Sequence, residues 1–392
     1  MMQTSLRNAD LATLVEMLQT QSVRKLDLVV PASRFRSIEG QIRVSGVEPI
    51  LMDDGVMEGN GFYSPTSIFD EGISDRLGIP LAYVRRLRSE RHDLIDANIN
   101  GWLHGPPLTD DSAADPRSFL LRCFRGDDDE PGIARALLSD KFAINDNLDT
   151  LMSVLDALRS EGIDTRMDQA SLTDRRMTFR LVAPEIKVMA ESLLKGYRNP
   201  FGDDFERWRG VADREGMGYG GEEPVVFAGF RVSNSETGNG AWSIVPEMVI
   251  KVCANGLTLT KHIVREVHLG GRMDAGVVQW SSETMEKNLD LIKAKTRDAV
   301  RTFMDVDFMT AQIAEITDLA ERPVKDHEEV KVIAKRAKFN DTQITDILAH
   351  FTRGGQMTRG GLMQAVTSVA QVVEDADTAY EMQHKAMAVL TA

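Results

Sequence analysis

Gly229-Phe-Arg-Val-Ser-Asn-Ser-Glu-Thr-Gly-Asn-Gly-Ala-Trp-Ser-Ile-Val-Pro-Glu-Met-Val-Ile-Lys-Val-Cys-Ala-Asn-Gly-Leu-Thr-Leu259 decides how the chain is read. It opens as a strand, with Val225, Phe227, Phe230 and Val232 leading into Ser233 to Gly240. That octet is a turn, because its polar side chains bond nearby backbone and its glycines accept positive φ. A second apolar run (Trp242, Ile244, Val245) follows, then Met248 to Cys253, and Asn255-Gly256 closes a tight hairpin before Leu257. Asn234, Ser235, Glu236, Gly238, Asn255 and Gly256 are therefore the structural turn residues. Gly238 and Gly256 are expected at backbone angles closed to other residues, and Trp242 is the aromatic expected to be exposed.

Outward from this core, the chain divides by pattern. Residues 1–25 form an N-terminal helical segment, with Leu11, Leu14, Val15 and Leu18 at helical spacing. Residues 26–280 alternate strands, helices and loops. Leu26 to Val30, Ile42 to Val44, Ser118 to Phe124, Ile163 to Ala170 and Arg176 to Ala183 read as strands, and Asp146 to Glu161 reads as an amphipathic helix. Residues 196–224 lack periodicity and read as a long loop or lid. From 281 the pattern is helical to the end. The expected fold class is α+β: a mainly antiparallel sheet domain followed by an all-α C-terminal module.

Hydrophobic residues make up 42% and charged residues 27% of 392, a globular balance, and no apolar run approaches the roughly 20 residues of a membrane span. Two isolated cysteines and no secretory signal fit a reducing cytoplasm. The net charge of −14 argues against a protein that coats polyanions over its whole surface, and leaves room for a local basic groove.

Catalytic spacing is missing. The chain has no phosphate-binding Gly-x-x-x-x-Gly-Lys-Ser/Thr, no Gly-x-Ser-x-Gly elbow, no Cys-x-x-Cys and no His-x-x-x-His. No cofactor, metal or catalytic residue is assigned. Cations do gather near aromatics. Arg175, Arg176 and Arg180 lie on one hairpin, and Lys251, Lys261, His262 and Arg265 follow the central turns, with Trp242 beside them. A basic track with π-faces is how single strands of nucleic acid are held. Leu77 to Arg88 has the outline of a helix–turn–helix, with Arg85, Arg86 and Arg88 facing outward.

The run Gly-Phe-x-Val-Ser-Asn-Ser-Glu-Thr-Gly at 229–238, with Val-Cys-Ala-Asn-Gly-Leu at 252–257, resembles the signature of a family carried by phages, plasmids and other mobile elements. The resemblance spans about Ile68 to Leu259. It includes Leu77-Gly78-Ile79-Pro80-x-x-Tyr83, Asn98-x-Asn100-x-Trp102-Leu103 and Ala136 to Asp140. It implies a mobile-element setting in the cytoplasm of a bacterial host cell. With the basic, aromatic hairpin region and the missing catalytic spacing, the expectation is a DNA-metabolism protein, most concretely one that binds or anneals single-stranded DNA as a homo-oligomer, away from membranes. Two alternatives stay open: a metal-dependent nuclease or nucleotide-modifying enzyme centred on Asn234, Glu236 and Asn255, and a structural or assembly protein.

Overall fold

Strand β12 (Val225–Asn234), the first arm of the signature stretch, lies inside a seven-stranded sheet and is buried along its whole length. The computed structural model describes residues 4–52, 55–105, 115–127, 130–201, 219, 223–259, 262, 264–266, 273, 276–278 and 282–392. In chain order the N-terminal elements are β1 (Leu6–Ala9), α1 (Leu11–Arg24), β2 (Lys25–Pro31), β3 (Phe35–Ile38), β4 (Gln41–Val44), β5 (Ile50–Met52), β6 (Gly55–Met57) and β7 (Gly61–Pro65). Then come α2 (Ser67–Leu77), α3 (Leu81–Glu90), α4 (His92–His104), β8 (Ser118–Phe124), β9 (Gly132–Ser139), α5 (Asn147–Glu161), β10 (Arg166–Leu172), β11 (Met177–Met189) and the short α6 (Glu191–Leu194). After β12 follow β13 (Trp242–Ile250), β14 (Gly256–Thr258), β15 (Val264–Glu266) and β16 (Gly276–Val277). The tail holds α7 (Ser282–Phe303), α8 (Val306–Ala320), α9 (His327–Arg336), α10 (Asp341–Gly354), α11 (Arg359–Val372) and α12 (Ala376–Lys385).

Two sheets organise these elements. The first runs β1-β10-β11-β12-β13-β14, with β15 added against β13, and every pair is antiparallel. The second runs β16-β2-β8-β9-β7-β4-β3 and is antiparallel except for β7 beside β9. Strands β5 and β6 form a separate hairpin. The fold is α+β with a C-terminal run of helices, as the pattern of the chain leads one to expect. No helix among the described residues is long and apolar enough to cross a membrane.

Side-chain periodicity explains the layers. On the second sheet Leu26, Leu28, Val30, Phe35, Ile42 and Val44 point to one face, where Phe69, Ile73, Val84, Ile95 and Ile99 of α2, α3 and α4 close over them. On the first sheet Phe179, Phe230, Trp242 and Ile244 share one cluster with Leu14 of α1, Leu151 of α5, Ile344 of α10 and Met363 of α11. The chain is helical from Ser282 onward. In packing, the helical tail and the first sheet build a common core. Most of the expected loop over 196–224 lies outside the described residues.

Candidate functional site

The signature turn connects β12 to β13, and its side chains point inward. Asn234 donates through Nδ2 to the Asn145 carbonyl and to Asn147 Oδ1, each at 2.9 Å. Ser235 Oγ donates to the Arg175 carbonyl at 2.6 Å, and Thr237 Oγ1 donates to that of Asp174 at 2.9 Å. Gly238 has φ +81°, and a Cβ there would come within 2.7 Å of Leu138 Cδ2. Asn234 to Thr237 are buried, and the turn plugs the space between the two sheets.

Glu236 is the pivot of that plug. Its Oε2 pairs with Arg135 at 2.7 Å, and its Oε1 accepts from the Asn147 backbone N–H at 2.7 Å. The second contact satisfies a free donor at the first turn of α5, where Asp146 makes no side-chain cap. Asp146 turns instead to Arg122, at 2.6 Å, and to Lys25. Arg122 is fully buried, forks onto Asp27 at 2.9 and 3.0 Å, and donates to the Glu236 carbonyl at 3.1 Å. Arg135 lies 4.2 Å from the centre of the Phe124 ring. Asp27, Asp146 and Glu236 thereby face Lys25, Arg122 and Arg135. Burial pushes the Glu236 carboxyl up, but Arg135 and Arg122 outweigh it and hold it below the usual carboxylate range. Both oxygens are committed, and the described residues contain no group of three metal-ligating side chains. The geometry gives Glu236 a structural task.

The second turn is anchored in the same way. Asn255 is fully buried and donates to the Tyr197 hydroxyl at 3.1 Å and to the Gln364 carbonyl of α11 at 3.2 Å. The left-handed residue of this turn is Ala254, at φ +55°, and not Gly256. Gly256 is required for another reason: a Cβ there would stand 2.7 Å from Arg180 Nη1 and 2.8 Å from Glu247 Oε2.

The cations expected to line one track are dispersed. Arg180 is buried on the first sheet, where its Nε donates to Asp168 at 2.7 Å, and Tyr219 donates to the same carboxylate at 2.6 Å. Trp242 is fully buried in the core beneath the sheet, which overturns its expected exposure. Arg176 pairs with Asp377 at 3.0 Å and lies over the Tyr380 ring. Arg175 bonds Asn239 at 3.0 Å and pairs with Glu71, and Lys251 pairs with Glu223. His262 bonds Gln312 at 3.0 Å. Lys261 lies outside the described residues, and Arg265 is described only as a backbone partner of Ser243. The helix–turn–helix outline fares similarly. Arg85 pairs with Glu71, Arg86 with Glu90 and Arg88 with buried Asp70, so each outward arginine already has a carboxylate.

An open cationic surface exists elsewhere. Strands β3, β4 and β7 form one edge of the second sheet, and Phe35, Ile42, Val44 and Tyr63 pack inward. The outward positions are Arg36, Arg43 and Phe62, all exposed. Register sets them in one row, because Arg36 lies opposite Arg43 and Arg43 opposite Phe62. The Arg43 guanidinium is 5.7 Å from the Phe62 ring centre. Arg34, also exposed, stands just before the row and donates to the Gly46 carbonyl. Among the described residues neither Arg36 nor Arg43 has a carboxylate partner. The sequence reading missed this face. Its signal was Gln41-Ile-Arg-Val44, an alternating strand, preceded by Phe35-Arg36 and a turn at Glu39 and Gly40, both at positive φ.

No protein-family model, curated protein or solved structure matches the chain.

Proposed function

We propose that the protein binds single-stranded nucleic acid across the open face of β3, β4 and β7, and that it serves DNA metabolism on a mobile element. The row Arg36–Arg43–Phe62 carries this reading. Like charges directly opposite each other on adjacent strands cost stability, and here no acid relieves them. Phosphates passing over the row would supply the missing counter-charge, and a base stacked on the Phe62 ring would gain about 1–3 kcal/mol. The remaining surface suits the same reading: a net charge of −14 repels nucleic acid in general and confines binding to this local patch. The resemblance of the signature stretch to proteins of phages and plasmids supports the biological setting.

A fluorescence anisotropy titration with an oligo-dT strand at rising salt tests the reading. The Arg36→Ala, Arg43→Ala double variant is expected to weaken binding and to reduce the salt slope by about 1.4, at ~0.7 per lost phosphate contact on a single strand. Phe62→Ala is expected to weaken binding with the slope unchanged, and Lys251→Ala to bind as the wild type does. Equal affinity and slope in the double variant would remove the reading.

A further inference from the structure

A groove of about 370 Å³ lies under the rim of the signature turn, between α2 and the end of β9. Gly238 and Gly240 edge its mouth without side chains, and Leu138 and Phe142, packed in one cluster, give it an apolar floor. Arg76 of α2 lines it, and the Arg76 Nε is buried with no hydrogen-bond partner. Glu71, on the same wall, is already held between Arg85, at 2.7 Å, and Arg175. Arg175 in turn is fixed by Asn239 at 3.0 Å. One further carboxylate, exposed Asp75, stands at the rim. Arg85, on the helix expected to read DNA, and Arg175, on the expected basic hairpin, thus meet at Glu71 on the groove wall. A guanidinium with unused donors is a fork suited to a phosphate or carboxylate. The volume is at the small end of the roughly 300–1,000 Å³ of small-molecule sites, enough for a single nucleotide unit and too little for a strand.

We propose that this groove binds a mononucleotide, a phosphomonoester of a sugar that bears a flat ring, with Arg76 as the phosphate anchor and the Leu138–Phe142 floor under the ring. The site is separate from the open face of β3, β4 and β7 and does not depend on it. Calorimetric titration of the full chain with adenosine monophosphate, adenosine and inorganic phosphate tests it. Adenosine monophosphate is expected to bind, with adenosine and inorganic phosphate each weaker by about tenfold or more. Arg76→Gln is expected to weaken adenosine monophosphate by about tenfold while leaving oligo-dT binding unchanged. Asp75→Asn, at an exposed position whose loss should not disturb folding, is expected to tighten it by removing a like charge. The proposal is overturned if the wild type does not bind adenosine monophosphate, if inorganic phosphate binds as tightly, if Arg76→Gln binds unchanged, or if Asp75→Asn fails to tighten binding.

Discussion

Glu236, Asp146 and Glu247 are carboxylates that the fold has taken out of water, and each keeps its charge through arginine or lysine contacts. For all three, burial pushes the carboxyl up, and the cations reverse that shift to leave it below the usual range. His350 and His384 are shifted the same way, to about 4, chiefly because burial disfavours the imidazolium. The sign is common to all five groups. Each binds protons more weakly folded than unfolded, so each contributes stability that is present at high pH and lost on acidification. The histidines act first. As pH falls from about 6.5 toward 4 the unfolded chain takes up protons that the folded chain refuses, at a cost on the order of 2–3 kcal/mol each. Below about pH 4 the carboxylates add to the loss. Urea unfolding at a series of pH values is expected to show stability falling from pH 7 to 4, and more steeply below. A flat profile from 7 to 4 would mean that the two histidines are solvated. Residue chemistry of this kind was only partly legible in the sequence. The turn character of Ser233 to Gly240 was visible, but the partners Arg135, Arg122 and Asn147 lie about ninety to over a hundred positions earlier, and no local pattern connects them.

At the scale of elements, the central hairpins show what a turn motif does and does not reveal. Asn255-Gly256 was readable as a turn, and β14 begins there as expected. The reason for the glycine was not readable, because it depends on Arg180 and Glu247 from two other strands meeting under it. Gly256→Ala is therefore expected to destabilise the protein by driving a Cβ into that buried ion cluster. Ala254→Gly, at the turn's actual left-handed residue, is expected to be tolerated, because relief of strain offsets the added chain entropy. Thermal melts of the two variants check this. A larger loss in Ala254→Gly than in Gly256→Ala would restore the simpler motif reading. The helices were more legible. The start of α10 is fixed by a capping box between Asn340 and Gln343, a purely local device that the sequence displays openly. The β3–β4 hairpin was half legible, since β4 was found and its partner was not.

Across the whole molecule, the change at 281 marks where strands stop and not where a core ends. Phe230 and Trp242 share their cluster with Val300, Ile316, Ile344, Met363 and Val389, so removing 282–392 would strip one wall from the first sheet. The fragment 1–281 is expected to lose cooperative unfolding and to expose apolar surface, as read by circular dichroism and dye binding. A cooperatively folded fragment would show instead that the tail is a separable module. Periodicity could reveal that the tail is helical. It could not reveal which face of each helix meets which sheet, because that is decided by contacts between residues far apart in the chain.

In the proposed function a nucleic-acid strand runs over Arg36, Arg43 and Phe62. The most direct measurement is photo-crosslinking of an oligo-dT strand carrying iodouracil, followed by mass-spectrometric mapping of the attached peptide. A stacked base sits against the ring it stacks on, so the crosslink is expected on the β7 peptide at Phe62 and to vanish in Phe62→Ala. Crosslinks confined to the Arg175–Arg180 hairpin or to the Arg85–Arg88 helix, or none under conditions where the strand is bound, would place the binding surface elsewhere and remove the proposed role of Phe62.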